Sequence, residues 1–231
     1  MNVSSEKSIS VWGKTAEFKD APSLENDTTA DVAVVGAGIA GLSIAYELIR
    51  AGKRVIVLDR GPLGGGMTAR TTGHLASELD DYYHKLIDVR GLEEAIQVRN
   101  AQTAAIDRIE SIIREERIDC DFRRLDDFLF LAPESDASIL EKEFEAARRV
   151  GLDVEWAGRA PIPGRNTGRC LCFPNQACFH PLKYLSGLIG AIQARGGRLH
   201  AETVVNQVAS QKDENVLLPN DTITSHLTFL S

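Results

Sequence analysis

Residues 31–59, DVAVVGAGIAGLSIAYELIRAGKRVIVLD, leave this chain little freedom in how it can fold. Val32, Ala33, Val34 and Val35 are a continuous apolar run of strand length, the pattern of a strand buried on both faces of a parallel sheet. Gly36, Gly38 and Gly41 follow at once in the spacing G-x-G-x-x-G. In that spacing the first glycine permits a tight turn, the second lets a pyrophosphate approach the backbone, and the third lets a helix pack closely on the strand. Leu42, Ala45, Tyr46, Leu48 and Ile49 recur at helical spacing, so a helix is expected over 39–51, with Gly52 after its end. A second buried strand over 55–58 ends at Asp59, whose carboxylate can accept hydrogen bonds from both hydroxyls of an adenosine ribose. A glycine triplet alone is weak evidence, because glycine is common. Strand, glycine loop, helix, strand and terminal acid in register make a dinucleotide-binding βαβ unit. An acid at Asp59 disfavours a 2′-phosphate, so NADP is not expected as the ligand there.

Composition narrows the partners. The chain has 231 residues, enough for one large domain or two small ones, and is 43% hydrophobic and 26% charged. Its formal charge of −7 argues against nucleic acid, which needs a dense basic face, and Arg123-Arg124 and Arg148-Arg149 read as solvated edges. No apolar run approaches the roughly 18 residues of a membrane span, so no membrane association is expected. Residues 1–30 lack the apolar stretch of a secretory signal and carry too many acids for a transit peptide, which makes the cytoplasm the expected compartment. Trp12 is expected to dock this N-terminal segment onto the domain. The cysteines are Cys120, Cys170, Cys172 and Cys178, the last followed two residues on by His180. Their spacing lacks the paired units of a zinc site, so no metal is expected and the thiols read as reduced and partly buried.

Further along, residues 61–74 are dense in glycine and hydroxyls and read as an irregular loop that something else must order. Ala95, Ile96, Val98, Ala101, Ala105, Ile106, Ile109, Ile112 and Ile113 predict a long amphipathic helix over 92–118. A strand or hairpin is expected over 122–132, a helix over 135–150 stopped by Gly151, and a short strand over 152–156. Residues 170–173 read as extended, Pro181 as the first turn of a helix running to about residue 195, and 199–208 as a further strand. No second G-x-G-x-x-G opens a helix.

These residues together resemble a known family. The 31–59 unit, the loop GGGMTARTTGHL and the segment NQACFHPLKYLSGLIGAIQARGGRLHAETVVNQV are similar to the FAD-dependent D-amino-acid oxidase-like family, which includes glycine oxidase, sarcosine oxidase and γ-glutamylputrescine oxidase. TARTTGHLASELDDYY resembles in particular the branch whose members often carry a C-terminal Rieske domain. The resemblance covers about residues 10–210. It implies an α/β fold: a Rossmann-like FAD-binding βαβ domain with an inserted, incomplete α+β substrate domain. The expected division is an N-terminal segment (1–30), the FAD-binding βαβ with flavin loop and long helix (31–118), a partial substrate domain (119–180), and a return to the FAD-binding domain with a truncated end (181–231).

The family's site residues carry over by position. Gly36, Gly38 and Gly41 would cradle the FAD pyrophosphate, with the N–H groups of Ile39 and Ala40 near it. Asp59 would bind the adenosine ribose and Arg60 flank the adenine. Thr68, Arg70, Thr71, Thr72, Gly73 and His74 would lie near the pyrophosphate or isoalloxazine, and Val205, in a T-x-V-x-x-V strand, would meet adenine through its backbone. Some relatives attach FAD covalently through a histidine near this loop, but that register falls closer to Arg70, so a noncovalent flavin contact is expected of His74, with a plain loop role as the alternative. His180, before Pro181, reads as a helix-start residue. The implied reaction takes a hydride equivalent from a carbon bearing an amine, giving reduced flavin and an imine that hydrolyses. It needs no obligatory side-chain base, and no catalytic residue is assigned. The implied partners are a small amine or amino-acid substrate and oxygen or a redox carrier as acceptor. Family members extend well beyond residue 231, so the chain is expected to be truncated and to bind FAD weakly. A noncatalytic FAD-binding fragment or subunit stays open as an alternative, as does an NAD-dependent dehydrogenase, which the loop 64–75 does not favour.

Overall fold

The computed structural model describes residues 9–18 and 21–208. The described residues divide into two compact units: those up to 72, 116–120 and those from 180 on form the first, residues 73–115 and 121–179 the second. The long helix and the segment from Gly73 onward, expected with the first domain, thus group with the second.

The first unit is built on a parallel sheet of β1 (Val32–Val35), β2 (Val55–Leu58) and β7 (Arg198–His200), with β2 in the centre. All four residues of β2 are buried, as its unbroken apolar run requires of a central strand. Helix α2 (Ile39–Arg50) buries Leu42, Ala45, Tyr46 and Ile49, the stripe its periodicity marks. Helix α6 (Pro181–Ala194) lies beside it, and the close approach explains Gly197: a Cβ there would stand 2.5 Å from both Ile49 and Ile192. His180 is the N-cap of α6, its Nδ1 accepting from the Lys183 N–H, with Pro181 next to it, where its missing N–H costs nothing. Before β1, a short helix α1 (Val11–Thr15) carries Trp12, whose Nε1 donates to the Thr71 carbonyl at 2.8 Å and whose ring meets the His180 ring edge-on. The docking role expected of Trp12 has this geometry.

Two expectations need correction. The strand over 199–208 stops at His200, and residues 203–208 are irregular, held at their start by the Thr203 N–H bonded to the Asp59 carbonyl. The loop 61–74 is not wholly irregular: Met67–Arg70 form a 3-10 turn, and His74–Leu75 are a two-residue strand of the second unit. Residues 209–231, most of the expected truncated end, lie outside the described residues.

The second unit is an antiparallel sheet around β6 (Cys170–Cys178), which pairs with β3 (His74–Leu75), β4 (Arg123–Leu129) and β5 (Glu155–Ala157). A bulge in β4 between Leu125 and Asp127 shifts the register, and Asp127 is only 6% exposed. Helices α3 (Tyr83–Arg90), α4 (Leu92–Glu116) and α5 (Ser138–Val150) complete the unit. Leu140 and Ala147 pack with Leu171 and Phe173 in one cluster, and Tyr83, Ala95, Ala146 and Val150 in another. Gly151 ends α5 in the left-handed region at φ +85°, the role its position predicts. Burial pushes the Cys170 and Cys172 thiols up, so both stay protonated and unreactive.

Helix α3 was not anticipated. Its N-cap, Tyr82, is in the left-handed region and caps nothing with its side chain. The N–H groups of Tyr83 and His84 are instead met by the buried carboxylate of Glu143, sixty residues away in sequence, at 2.8 and 3.1 Å, and Glu143 also takes His84 Nδ1 at 2.8 Å. A start signal supplied from another helix leaves no local pattern to read.

Candidate cofactor site

In the first unit the glycine loop joins β1 to α2, and each of its glycines is there for a different reason. Gly36 has φ +105°, a conformation that side chains rarely adopt, and its N–H closes onto the Leu58 carbonyl at 2.7 Å. At Gly41 a Cβ would lie 1.9 Å from the Gly36 carbonyl oxygen, so the helix can sit this close to the strand only without a side chain. Gly38 is unlike either. Its φ of −82° suits any residue, and a Cβ would meet only the Thr68 hydroxyl, at 3.4 Å. Among the described residues nothing else comes near that position, so packing does not demand glycine there, and room is left beside it.

That space lies at the start of α2, where the first N–H groups of a helix have no partner within it. Gly38 provides no side-chain cap. Thr68, on the 3-10 turn, reaches across so that its Oγ1 accepts from the Ile39 N–H at 3.1 Å. Ala40 and Gly41 complete the same first turn. At the end of β2, Asp59 cross-links the two loops: Oδ2 accepts from the Ala37 N–H at 2.6 Å and Oδ1 from the Gly61 N–H at 2.9 Å. Val35, last residue of β1, is 40% exposed although its strand is otherwise buried, so apolar surface opens toward solvent beside the loop.

The structure therefore brings Gly36, Gly38, Ile39, Ala40, Gly41, Asp59 and Thr68 together through the β1–α2 loop and the two side chains that tie it. Arg60 follows Asp59 and is exposed. Arg70 donates weakly to the Gly66 carbonyl, at 3.4 Å, while Thr71 receives Trp12 through its carbonyl and, like Thr72, is exposed. The side chain of Val205 packs on the core of Ala30, Ala33, Ile56 and Leu58. Gly73 and His74 belong to the second unit. There the Gly73 carbonyl accepts from the Phe179 N–H, and His74 pairs with Cys178 in the sheet and places Nε2 2.5 Å from Asp127 Oδ1.

Sequence patterns do not reveal the N–H groups of Ala37 and Gly61 at this site, nor, apart from it in the second unit, the pair Glu78 and Asp127. Glu78 is pushed up to about 8, by burial first and then by its hydrogen bond to Asp127. A signal was present for Asp127, since two adjacent acids interrupt a Phe- and Leu-rich strand; for Glu78, in a polar loop, there was none.

A family model described as FAD dependent oxidoreductase matches residues 31–226. The putative Rieske 2Fe-2S iron-sulfur protein YhfW of Bacillus subtilis is 35% identical over 193 residues, covering 84% of this chain and 38% of that protein. Gamma-glutamylputrescine oxidoreductase of Escherichia coli is 32% identical over 196 residues, 80% of this chain and 44% of the enzyme. Among solved structures, glycine oxidase from Geobacillus kaustophilus superposes with a TM-score of 0.60 at 21% identity, over 75% of this chain and 47% of its own. L-Amino acid deaminase from Proteus myxofaciens gives 0.69 at 15% identity, over 97% and 49%. The chain spans less than half the length of each of these proteins. Among the described residues no helix is long and apolar enough to cross a membrane.

Proposed function

The chain belongs to the FAD dependent oxidoreductase family, and from that premise we propose that its first unit holds the ADP half of FAD for the oxidation of an amine or amino acid at its C–N bond. The observation that carries this reading is Gly38: a glycine that nothing among the described residues requires, with only the Thr68 hydroxyl near its Cβ position, at a helix start with no acidic residue in its first turn. A pyrophosphate explains all three features, since it needs close backbone approach and is drawn to the positive end of the helix. That attraction is about 0.3 to 1 kcal/mol when exposed and up to ~2 when partly buried.

The residues present fit the group. The Ile39 and Ala40 N–H groups would serve the pyrophosphate. The Thr68 hydroxyl, already accepting from Ile39, retains its own proton to donate to a phosphate oxygen. Each Asp59 oxygen takes one backbone N–H, and a carboxylate oxygen has capacity for a second donor, so Asp59 can hold the loop and accept ribose hydroxyls together. Arg60 would flank the adenine, and Val205 would contribute backbone only, its side chain being committed to the core. Arg70, Thr71 and Thr72 would extend the phosphate-facing wall of the loop. FAD, when bound, supplies the two-electron acceptor, and oxygen or a protein carrier would reoxidise it. Cys170, Cys172 and Cys178 as free thiols support a reducing compartment such as the cytoplasm.

Titration of the purified chain with FAD, followed by flavin absorbance and fluorescence, tests the binding half of the proposal. Binding to the wild type and its loss in Gly38→Val are expected; unchanged affinity in the variant refutes the site. Anaerobic mixing of the complex with amines and amino acids tests the chemistry. Bleaching of the flavin bands is expected, and an FAD complex that none of them bleaches would reduce the assignment to cofactor holding.

A further inference from the structure

The second unit contains a titratable cluster that the proposed cofactor site does not use. Asp127, 6% exposed, stands behind the bulge of β4 with Oδ1 2.5 Å from His74 Nε2 on β3. Its other oxygen, Oδ2, is buried and receives no N–H or O–H from the described residues, and the same is true of Glu78 Oε2. Glu78 and Asp127 are near enough to act on each other as hydrogen-bonding groups, and two carboxyl groups can do so only when one carries a proton. Each carboxyl group thus keeps a buried oxygen with no donor among the described residues, and one proton held between the pair would supply such a donor.

The frame around them is stiff. Ser77, beside Glu78, donates to Gln176 Oε1 of β6 through both its N–H and its hydroxyl, and its carbonyl accepts from the Tyr83 hydroxyl at 2.7 Å. The neighbouring charges are Asp126 on β4, and the neighbouring titratable groups are Tyr83 at the start of α3 and Cys172 on β6. Among the described residues no set of three His, Cys, Asp or Glu groups is arranged to hold a metal ion, so a proton rather than a cation is the ligand this cluster suits.

We propose that Glu78, Asp127 and His74 form a one-proton relay: the buried carboxyl pair shares a single proton, and its charge fixes His74 as the Nε2–H tautomer, leaving Nδ1 as the proton-accepting atom of a ring that is 41% exposed. Glu78 and Asp127 are positioning residues and His74 is the outer terminus. Proton uptake balances simply. His74 Nδ1 takes a proton from a cationic donor such as an ammonium group, the ring becomes +1 against the −1 of the carboxyl pair, and release to solvent restores the start. The relay does not depend on the cofactor reading.

The sign of its pH dependence is fixed. Burial raises Glu78 from 4.5 to about 8 in the folded chain. Its contribution to stability is therefore full below the unfolded value, declines as pH rises, and is gone once pH passes about 8.

Difference infrared spectra of the full chain across this range should show one protonated-carboxyl C=O stretch that disappears as pH rises through about 8. Glu78→Gln, which keeps the shape and gives Asp127 an N–H donor, should abolish that band. Nitrogen NMR of the His74 ring in the wild type should show Nε2–H, with the Nδ1–H form gaining in Asp127→Asn. Absence of the band in the wild type, its survival in Glu78→Gln, or a wild-type His74 in the Nδ1–H form each overturns the relay. Two of these readouts need only the wild type, so a variant that fails to fold does not shield the proposal.

Discussion

Two helices, one in each unit, begin without a capping side chain of their own, and they are completed in opposite ways. Helix α3 starts after Tyr82, and its first N–H groups are closed by the buried carboxylate of Glu143, an anion the chain provides. Helix α2 starts after Gly38 and, among the described residues, is offered only a neutral hydroxyl, that of Thr68, on a single N–H. A helix start favours negative charge wherever it lies. The second unit supplies the charge internally and has a finished structural joint. The first withholds it beside a residue with no side chain, and so keeps a place for an anion from outside.

The difference can be broken at its foundation. Gly41→Ala drives a methyl group into the Gly36 carbonyl, and because backbone cannot step aside as a side chain does, we expect a loss of about 3 kcal/mol or more in denaturant unfolding. Glu143→Ala strips α3 of its anion and leaves two N–H groups without an acceptor, for an expected loss of about 2 to 3 kcal/mol by the same measurement. Thr68→Val is the counterpart in the first unit. It removes one neutral acceptor and should cost only about 1 kcal/mol in the free chain, while FAD titration should show weakened binding. Gly38→Ala sharpens the comparison most with the least disturbance. The poorer cap and the stiffer unfolded chain, each worth about 0.5 to 1 kcal/mol, offset one another, so unfolding should barely change. FAD affinity should nevertheless fall at least about tenfold, since the added methyl group stands where the pyrophosphate must approach. A variant that lost stability and kept affinity would reverse the meaning given to that glycine.

The same contrast explains what could be read from the residues. Val32–Val35 and Val55–Leu58 are strands by their own composition, and the glycine spacing between them dictates the turn, so the βαβ unit was legible to within a residue. Gly151 and Pro181 were equally plain, because the signals that stop α5 and start α6 lie in the chain beside them. Helix α3 was hidden because Glu143 caps it from another helix. The inward turn of Asp127 was hidden because it depends on a bulge set by pairing with β6. The T-x-V-x-x-V segment showed strand-like residues at 203–208, yet Thr203 is bonded to Asp59 and Val205 packs on the core without any ladder. At the candidate site the glycines and Asp59 were visible as a motif. That Asp59 braces the loop through Ala37 and Gly61 could be seen only once the two loops faced each other.

His180 has one more consequence. Because its Nδ1 accepts from Lys183, the ring carries its proton on Nε2 and gives it to the Thr15 hydroxyl, which passes its own to the Val11 carbonyl at 2.8 Å. The start of α6 and the body of α1 are thereby strung on a polar thread in which every hydrogen points the same way. Such a thread has a direction, because a proton on Nδ1 would set two donors face to face and break the link to Lys183. The segment that precedes the sheet is therefore held by an arrow as well as by the indole ring of Trp12.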